Sequence, residues 1–590
     1  MVIDSPEQRR KRKRFLKTTN LSSLRHFPPV RSLLYCFGFF VFFYLLFRRH
    51  TSAFHHVIAH SRLSSLSAFQ MDPVTVFSKI NELPQFKVED RVSFPDHILL
   101  LVSKSTDTGI EIGNRLKCIY KSNNSDSESD SDLGNSVTTG RNPLSVDEYS
   151  DNRFLVRCPL PPANFSSVIT LLQHGLTIDT SEDKPLNSWE NLAYEAVLDG
   201  NTAVVFVKGI SHRQDKESDP KQFSCHFGFG DWKTGDKYML TTRALTAAQE
   251  VVRCLLPRSI LMHPDKALGI RATVSFRMPR IHGRAHRIFL PSVAKISTSK
   301  PTIKIKKHDL CVCTMLWNQA DAIREWITYH SFLGVQNWFI YDNNSDDKIK
   351  DVIKNLTLEG YNISRHIWPW IKTQEAGFSH CAMRARTVCN WVSFMDVDEF
   401  YHFPPLTSTI ANPQGSLLSL VSNFTSSSSI GEIRTSCHSF GPSGLTSRPK
   451  KGVTVGYTCR LQSPERHKSI IRPDALDLTL MNVVHHFHLK KGFTFMDVDQ
   501  RVAVINHYKY QVWEVFRAKF YRRVATYVAD WRENHNEGSR DRAPGLGTEA
   551  IEPVDWRLQF CEVWDTGLRD FVLGNLVDVS TGGLPWDRSL

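Results

Sequence analysis

"DLCVCTMLWNQADAIREWITYHSFLGVQNWFIYDNN", residues 309–344, decides the fold. "DLCVCTMLW" is an apolar run of strand length. "DAIREWITYHSFLG" then places Ile323, Trp326, Ile327, His330 and Leu333 on one helical face and stops at Gly334, a residue that takes the left-handed conformation that ends helices. "NWFIYDNN" is a second strand. The alternation continues: "SDDKIKDVIKNLTLEG" reads as a helix capped by Ser345 and closed by Gly360, "YNISRHIWPW" as a strand, "TQEAGFSHCAMRART" as a helix and "NWVSFMDVD" as the fourth strand. Such a series predicts a parallel sheet with helices on both faces, whose ligand crevice lies outside the carboxyl ends of the strands.

The fourth strand ends in two aspartates one residue apart. In a strand, residues i and i+2 face the same way, so Asp396 and Asp398 are expected to emerge together at the rim while Val397 returns to the core. Two carboxylates so placed suit a hard divalent ion, Mn²⁺ or Mg²⁺, bound through oxygen. The letters "FMDVD" recur at 495–499, but no long apolar strand precedes them, and Asp497 and Asp499 read as a solvated turn. Downstream, "RHKSIIRPDAL" offers Arg466, Lys468 and Arg472 in a strand-like stretch, and "VVHHFHL" offers His485, His486 and His488. A neutral imidazole is a plausible further ligand, and His485 and His486 point to opposite faces, so one of them at most serves. Past 510, Trp513, Phe516, Phe520, Val524, Tyr527 and Trp531 recur at helical spacing, which predicts a docking helix with a structural role.

Upstream, residues 92–295 change texture to short apolar runs ("VSFPDHILLLVS", "RFLVRCPLPP", "AVVFVKGIS", "FSCHFGFG", "ATVSF") separated by polar turns, which predicts one all-β, sandwich-like accessory module. The formal charge of +13 is local: the first 50 residues hold eleven Lys/Arg and two Asp/Glu, leaving 62 basic against 58 acidic residues in the rest of the 590-residue chain. A nearly neutral body argues against a nucleic-acid partner. After the basic tail, "SLLYCFGFFVFFYLLF", residues 32–47, carries no charge. At ~1.5 Å per residue it reaches roughly 24 Å, a short transmembrane signal anchor suited to a thin early-secretory membrane, with the preceding positive charge cytosolic. The expected order is therefore a cytosolic tail at 1–31, the anchor at 32–47 and a stem at 48–91. The β-module at 92–295, an α/β domain at 305–505 and a helical extension at 506–590 follow. Eleven of the twelve cysteines lie beyond the anchor, an odd number scattered as for occasional bridges inside large domains, and sequons stand at Asn123, Asn164, Asn343, Asn355, Asn362 and Asn423.

The ordered blocks "CVCTMLWNQADAIREWITYHSFLGVQNWFIYDNNSDD", "QEAGFSHCAMRAR", "WVSFMDVDEFYHFP", "HKSIIRP", "VVHHFHL" and "INHYKYQ" resemble glycosyltransferase family 92, a GT-A-fold group, from about Asp309 to about Asp565. The likeness is to plant members related to β-1,4-galactan synthases. It implies a Rossmann-like mixed sheet and inverting transfer of a hexose from a UDP-sugar, UDP-galactose favoured, to a glycan acceptor. It also implies Mn²⁺ as cofactor; together with the anchor, it implies a single-pass type II Golgi membrane protein with a luminal catalytic domain. Asp396 and Asp398 match the family's DxD, His485 its late histidine as third metal contact, and Asp342 the position that meets uracil or ribose. Asn318 is a weaker candidate for the nucleotide pocket. Lys468 and Arg472 are expected to share the charge of the departing diphosphate. For the base that takes the acceptor's proton, Glu399, His380 and Glu465 stand as candidates. Tyr401, Phe403, Trp368 and Trp370 are candidates for stacking on sugars. Homodimer formation is left open. The competing reading is a catalytically silent carbohydrate-binding or scaffolding protein with a transferase fold.

Overall fold

A computed structural model describes residues 86–587 apart from 105–115, 123–137, 151, 174–175, 179–184, 211–216, 229–238, 278–286, 299–306, 405–412, 484–485 and 527–551. The basic tail, the apolar run expected to anchor the chain and nearly all of the stem lie outside the described residues. Among those described, no helix is long and apolar enough to cross a membrane.

The all-β region begins at Phe86, ahead of the expected boundary, and holds two sandwiches where one was expected. The first is built from β1 (Phe86–Ser93), β2 (His97–Lys104), β3 (Leu116–Ser122), β4 (Thr138–Arg141), β5 (Ser145–Ser150), β6 (Arg153–Pro159), β7 (Phe165–Gln173), β8 (Leu176–Ile178) and β9 (Leu186–Ser188). Its two sheets run β5-β6-β2-β1-β9 and β4-β3-β7-β8. The second is built from β10 (Leu192–Asp199), β11 (Thr202–Lys208), β12 (Glu217–Ser218), β13 (Phe223–Phe227), β14 (Leu240–Ala248), β15 (Val251–Leu255), β16 (Ala272–Arg277), β17 (Arg287–Phe289) and β18 (Ile296–Thr298).

Every ladder of the first sandwich recurs in the second. Hairpin β1–β2 matches β10–β11, and the parallel closure β1–β9 matches β10–β18. Pairs β2–β6, β3–β7 and β7–β8 match β11–β15, β13–β16 and β16–β17. One bent strand, β14, makes the two pairings that β4 and β5 make separately. The disulfides Cys118–Cys158 and Cys225–Cys254 join equivalent strands, and Val156–Pro161, "VRCPLP", matches Val252–Pro257, "VRCLLP". The β region is thus an internal duplication.

Strands β2 and β11 are apolar almost throughout because both of their faces are covered. Ile98, Leu100 and Val102 fill the first sandwich, and Ala203, Val205 and Val207 the second, whereas Leu99, Leu101, Val204 and Phe206 join a cluster with Phe339, Tyr341, Trp368 and Trp370 of the α/β half. At ~1.5–3 kcal/mol per buried large apolar side chain, this junction is a shared core that holds the halves together.

The α/β half contains β19 (His308–Leu316), α1 (Ala320–Phe332), β20 (Asn337–Asp342), α2 (Ile349–Leu358), β21 (Ile363–Ile367), α3 (Gln374–Ala385), β22 (Cys389–Phe394), β23 (Glu399–His402) and α4 (Ser416–Thr425). It continues with β24 (Ile430–Ser439), β25 (Cys459–Arg460), β26 (Arg466–Ile471), β27 (Asn482–Val483), β28 (His486–Phe487), β29 (Thr494–Asp497), β30 (Val504–His507), α5 (Trp513–Thr526), β31 (Val563–Trp564) and α6 (Gly567–Asn575). Strand order is β21-β20-β19-β22-β26-β24-β30-β23, with β29 also on β24. The first four strands are parallel, as the alternation predicts, and β26 enters antiparallel between β22 and β24. The expected helical face of α1 is buried at all five positions. Helix α2 starts later than expected: Asp347 Oδ1 accepts the Ile349 N–H, and the Ser345 hydroxyl accepts the Asn318 N–H instead. The expected boundary at 505 cuts through β30, so the sheet runs on into the expected extension as far as His507. Disulfides Cys311–Cys389, Cys313–Cys381 and Cys459–Cys561 follow, and among the described residues Cys437 is a free, buried thiol.

Candidate active site

Strand β22 stops at Phe394, and the two aspartates stand in the turn that follows, two and four residues past its end. The Glu399 N–H donates to Asp396 O at 3.1 Å, and the Asp396 N–H donates to Glu399 Oε2 at 2.9 Å. Met395 and Val397, which alternate with the aspartates, are buried, whereas the aspartate side chains are 34% and 16% exposed, so the pair still leaves the core together. Helix α1 fixes the strand beyond the turn: Trp326 Nε1 donates to Glu399 O at 3.0 Å and the Tyr329 hydroxyl to Tyr401 O at 2.6 Å.

Antiparallel pairing of β23 with β30 sets His507 opposite Glu399. Its Nε2 lies 3.5 Å from Asp398 Oδ1 and its Nδ1 3.7 Å from Glu399 Oε1, while the Tyr508 N–H donates to Asp398 O at 2.8 Å. From β26, Lys468 sets its ammonium 2.8 Å from Glu399 Oε1 and 3.2 Å from Asp396 Oδ2. Burial alone would depress the Lys468 pKa, but the Asp396 and Glu399 carboxylates outweigh it and hold the group charged, above its ordinary value. Lys519 on α5 pairs with Asp398 Oδ2. Burial opposes ionisation of Asp398 too, yet Lys519 and His507 keep its carboxyl well below the usual range. Glu465, after β25, accepts the Ser439 hydroxyl and stands 3.5 Å from Lys509 Nζ. Ser439 faces His507 across β24 and β30, which brings Glu465 beside the cluster.

Asp396, Asp398 and His507 are of the types that bind a divalent cation, and one pair among them stands near ligand spacing. Neighbouring ligands of an octahedral ion with bonds of ~2.1 Å stand about 3 Å apart, close to the 3.5 Å between Asp398 Oδ1 and His507 Nε2, and Asp396 follows in the same turn. Among the described residues, the three-residue grouping with ligand atoms all within 4.8 Å of one another is Glu399, Cys437 and His507. Its chemistry suits a hard ion less, because burial, reinforced by Glu399, keeps the Cys437 thiol protonated.

Other residues singled out in the sequence lie elsewhere. Asn318 is at the carboxyl rim of the sheet, where its side-chain oxygen accepts the Asp346 N–H at 2.9 Å. Asp342 is 1% exposed: Oδ1 accepts the Ser345 N–H and Oδ2 takes Arg365, which also reaches Asp147 of the first sandwich. His380 is enclosed by Phe206, Tyr341, His366 and Trp368, with Nδ1 2.7 Å from the Tyr341 hydroxyl, and burial drives its pKa well below the usual value. Arg472, one residue past β26, is four residues from Lys468, about 13 Å at strand spacing. It points to Asp474 and Ser427 O and not to the rim. His485 lies outside the described residues, and its neighbour His486 is 2.8 Å from Glu432 Oε1. Trp368, Trp370 and Tyr401 are buried in packing, and Phe403 packs against the main core. The sequence reading did not assign His507, Lys509 or Lys519 to the site. The signal was present in "INHYKYQ", a histidine two residues before a lysine at the end of the last strand of the large sheet.

Residues 306–559 match the glycosyltransferase family 92 profile. A glycosyltransferase family 92 protein of Ricinus communis is 52% identical over 99% of both chains. A galactan β-1,4-galactosyltransferase of Arabidopsis thaliana is 29% identical over 20% of this chain and 25% of its own. Among solved structures, a mannosyltransferase from Pyrobaculum calidifontis in complex with GDP-Man and Mn²⁺ covers 41% of this chain and 67% of its own at 11% identity and a TM-score of 0.24. The full-length match to the Ricinus protein, together with a carboxylate-rich turn at the carboxyl rim of the α/β sheet, makes this chain a glycosyltransferase and a member of glycosyltransferase family 92.

Proposed function

We propose that the chain transfers a hexose, galactose favoured, from a UDP-sugar to a glycan acceptor with inversion, on a GT-A-type catalytic domain in the Golgi lumen. The observation that carries the reading is the turn Asp396–Glu399, which presents two carboxylates beside His507 and is braced from behind by Lys468. A divalent cation, Mn²⁺ or Mg²⁺, held by Asp396, Asp398 and His507 would supply positive charge where the departing diphosphate becomes more negative. Lys468, 5% exposed, holds Asp396 and Glu399 in place. Asn318, at the rim, is within the region expected to receive the nucleotide.

The acceptor oxygen forms a bond to the anomeric carbon as the bond from that carbon to the phosphate oxygen breaks. UDP leaves with the electron pair, and the acceptor's proton goes to a base on the opposite face. Of the three candidates, Glu399 and His380 are buried, whereas Glu465 is one-third exposed, and we assign the base to Glu465. Galactose is supported by the segment shared with the galactan β-1,4-galactosyltransferase. A luminal location is supported by five disulfides, which persist in oxidising compartments. Anchoring through residues 32–47 rests on their apolar character.

The test is an assay of the full chain with a panel of UDP-sugars, with Mn²⁺ and with EDTA. Metal-dependent transfer or donor hydrolysis is expected, strongest with UDP-galactose. Absence of both with every donor would leave the catalytically silent reading standing.

A further inference from the structure

Asp398 already has a cation, supplied by the protein itself. Lys519, on α5, sets its ammonium against Asp398 Oδ2 while Oδ1 faces His507. Helix α5 is held by a small core of its own, in which Tyr510, Phe516, Phe520 and Trp556 pack together, and the Cys459–Cys561 disulfide ties the neighbouring C-terminal segment back to β25. The position from which Lys519 reaches the turn is therefore fixed by the fold.

Three lysines meet the acidic cluster, and they differ in freedom. Lys468 is 5% exposed between Asp396 and Glu399, and Lys509 is 8% exposed beside Glu465. Lys519 is 32% exposed on a flexible stem, so it has room to leave. Carboxylates Asp396, Asp398, Glu399 and Glu465 face Lys468, Lys509 and Lys519, so the protein's own charges come close to balance. A divalent cation entering at Asp398 and His507 would place two further positive charges beside the Lys519 ammonium. The repulsion is relieved if the ammonium moves away, and an incoming anion offers it a new partner.

We propose that Lys519 is an exchangeable counter-ion: it neutralises Asp398 in the nucleotide-free enzyme and moves onto the diphosphate of the incoming nucleotide when a divalent cation takes Asp398. The inference rests on the reading of Asp398 as a cation-holding residue. Its consequence is opposite in sign for the two ligands. Lys519 competes with the cation in the free enzyme and attracts the nucleotide in the ternary complex, so cation and nucleotide bind cooperatively through it.

Calorimetric titration of the full chain in detergent tests this, with MnCl₂ alone and then with UDP at saturating Mn²⁺, for the wild type, Lys519→Met and Lys519→Arg. Expected for Lys519→Met is tighter binding of Mn²⁺ alone, by about threefold to tenfold, with UDP binding weakened about tenfold; Lys519→Arg is expected to stay near wild type on both. Unchanged affinities, or both affinities falling together as for a loosened helix, overturn the proposal. A wild type that binds UDP with no dependence on Mn²⁺ overturns the parent reading and this inference with it.

Discussion

Arg157 and Arg253 occupy equivalent positions in two copies of one β-sandwich, and each reaches a backbone carbonyl of the α/β half, Arg157 that of Asn344 at 3.2 Å and Arg253 that of Leu478 at 2.9 Å. The duplication thus supplies two matched docking points. They are unequal in depth, because Arg253 also donates to Asp199 at 2.7 Å and to Thr202 at 2.9 Å and its side chain is 3% exposed. Arg253→Ala is expected to destabilise by about 2–4 kcal/mol and Arg157→Ala by about 1 kcal/mol. Thermal unfolding of both variants, with equal losses or the reverse order, would show that the two contacts do not differ in this way.

Only the first aspartate pair should matter for activity. Asp396→Asn and Asp398→Asn are expected to lower metal-dependent turnover at least 100-fold, whereas Asp497→Asn leaves it within about twofold. Asp497 ends an exposed edge strand, and Asp499 is spent on Arg501 at 2.6 Å. Loss of activity in Asp497→Asn equal to that in Asp398→Asn would move the site to the second copy.

The late ligand is expected to be His507. His507→Ala should weaken Mn²⁺-dependent UDP binding about tenfold or more, and His486→Ala should leave it unchanged, because His486 is held 2.8 Å from Glu432 and 3.2 Å from His467 O. Calorimetry that shows the opposite pattern would reassign the ligand to the histidine cluster at 485–488.

What the sequence made legible follows from local periodicity. The apolar face of α1, the four parallel strands and the rim position of Asp396 and Asp398 depend on residues close in the chain. Partners fixed by distant pairing were not legible: His507 meets Glu399 through the β23–β30 ladder, more than a hundred residues away in sequence. Arg472 was grouped with Lys468 because a strand-like run hides its direction, and the antiparallel course of β26 carries Arg472 away from the rim. Asp342 and His380 looked functional as polar residues in an apolar setting, yet the sandwiches pack over that face and enclose them. The duplication is legible in "VRCPLP" and "VRCLLP", but turns of unequal length between the strands conceal it from a search for periodic strands.

Stability should be higher in mild acid than at neutral pH. Glu195 and Glu250, on β10 and in the turn before β15, are buried near the junction of the halves, and burial pushes each up to about 7, opposed by Tyr149, Arg153 and Arg384 near the first and by Lys208 and Tyr194 near the second, where Glu375 adds to the rise. A carboxyl with a folded pKa above its unfolded value binds more protons when folded. Stability is therefore fully present below about pH 4.5 and falls as pH rises toward 7. The slope from these two groups amounts to a few kcal/mol at most between pH 5 and 7.5. Melting temperatures of wild type and Glu195→Gln across that range check it, and a Glu195→Gln slope as steep as wild type removes Glu195 from the account.

The brace behind the site should show itself as a coupling between two buried charges. Glu399 is fully buried and Lys468 nearly so, and the 2.8 Å contact between them is the ammonium that offsets the desolvation of that carboxylate. Lys468→Met removes the offset and leaves Glu399 and the partly exposed Asp396 facing each other, so a loss of about 3–5 kcal/mol is expected. Glu399→Gln in the same background removes the stranded charge while its amide oxygen still accepts the Asp396 N–H, the bond that shapes the turn. The double variant is then expected to be at least 1–2 kcal/mol more stable than Lys468→Met alone. Chemical denaturation of wild type, both single variants and the double closes the cycle; additive losses would mean that Lys468 stabilises the fold through its stem and not through its charge on Glu399.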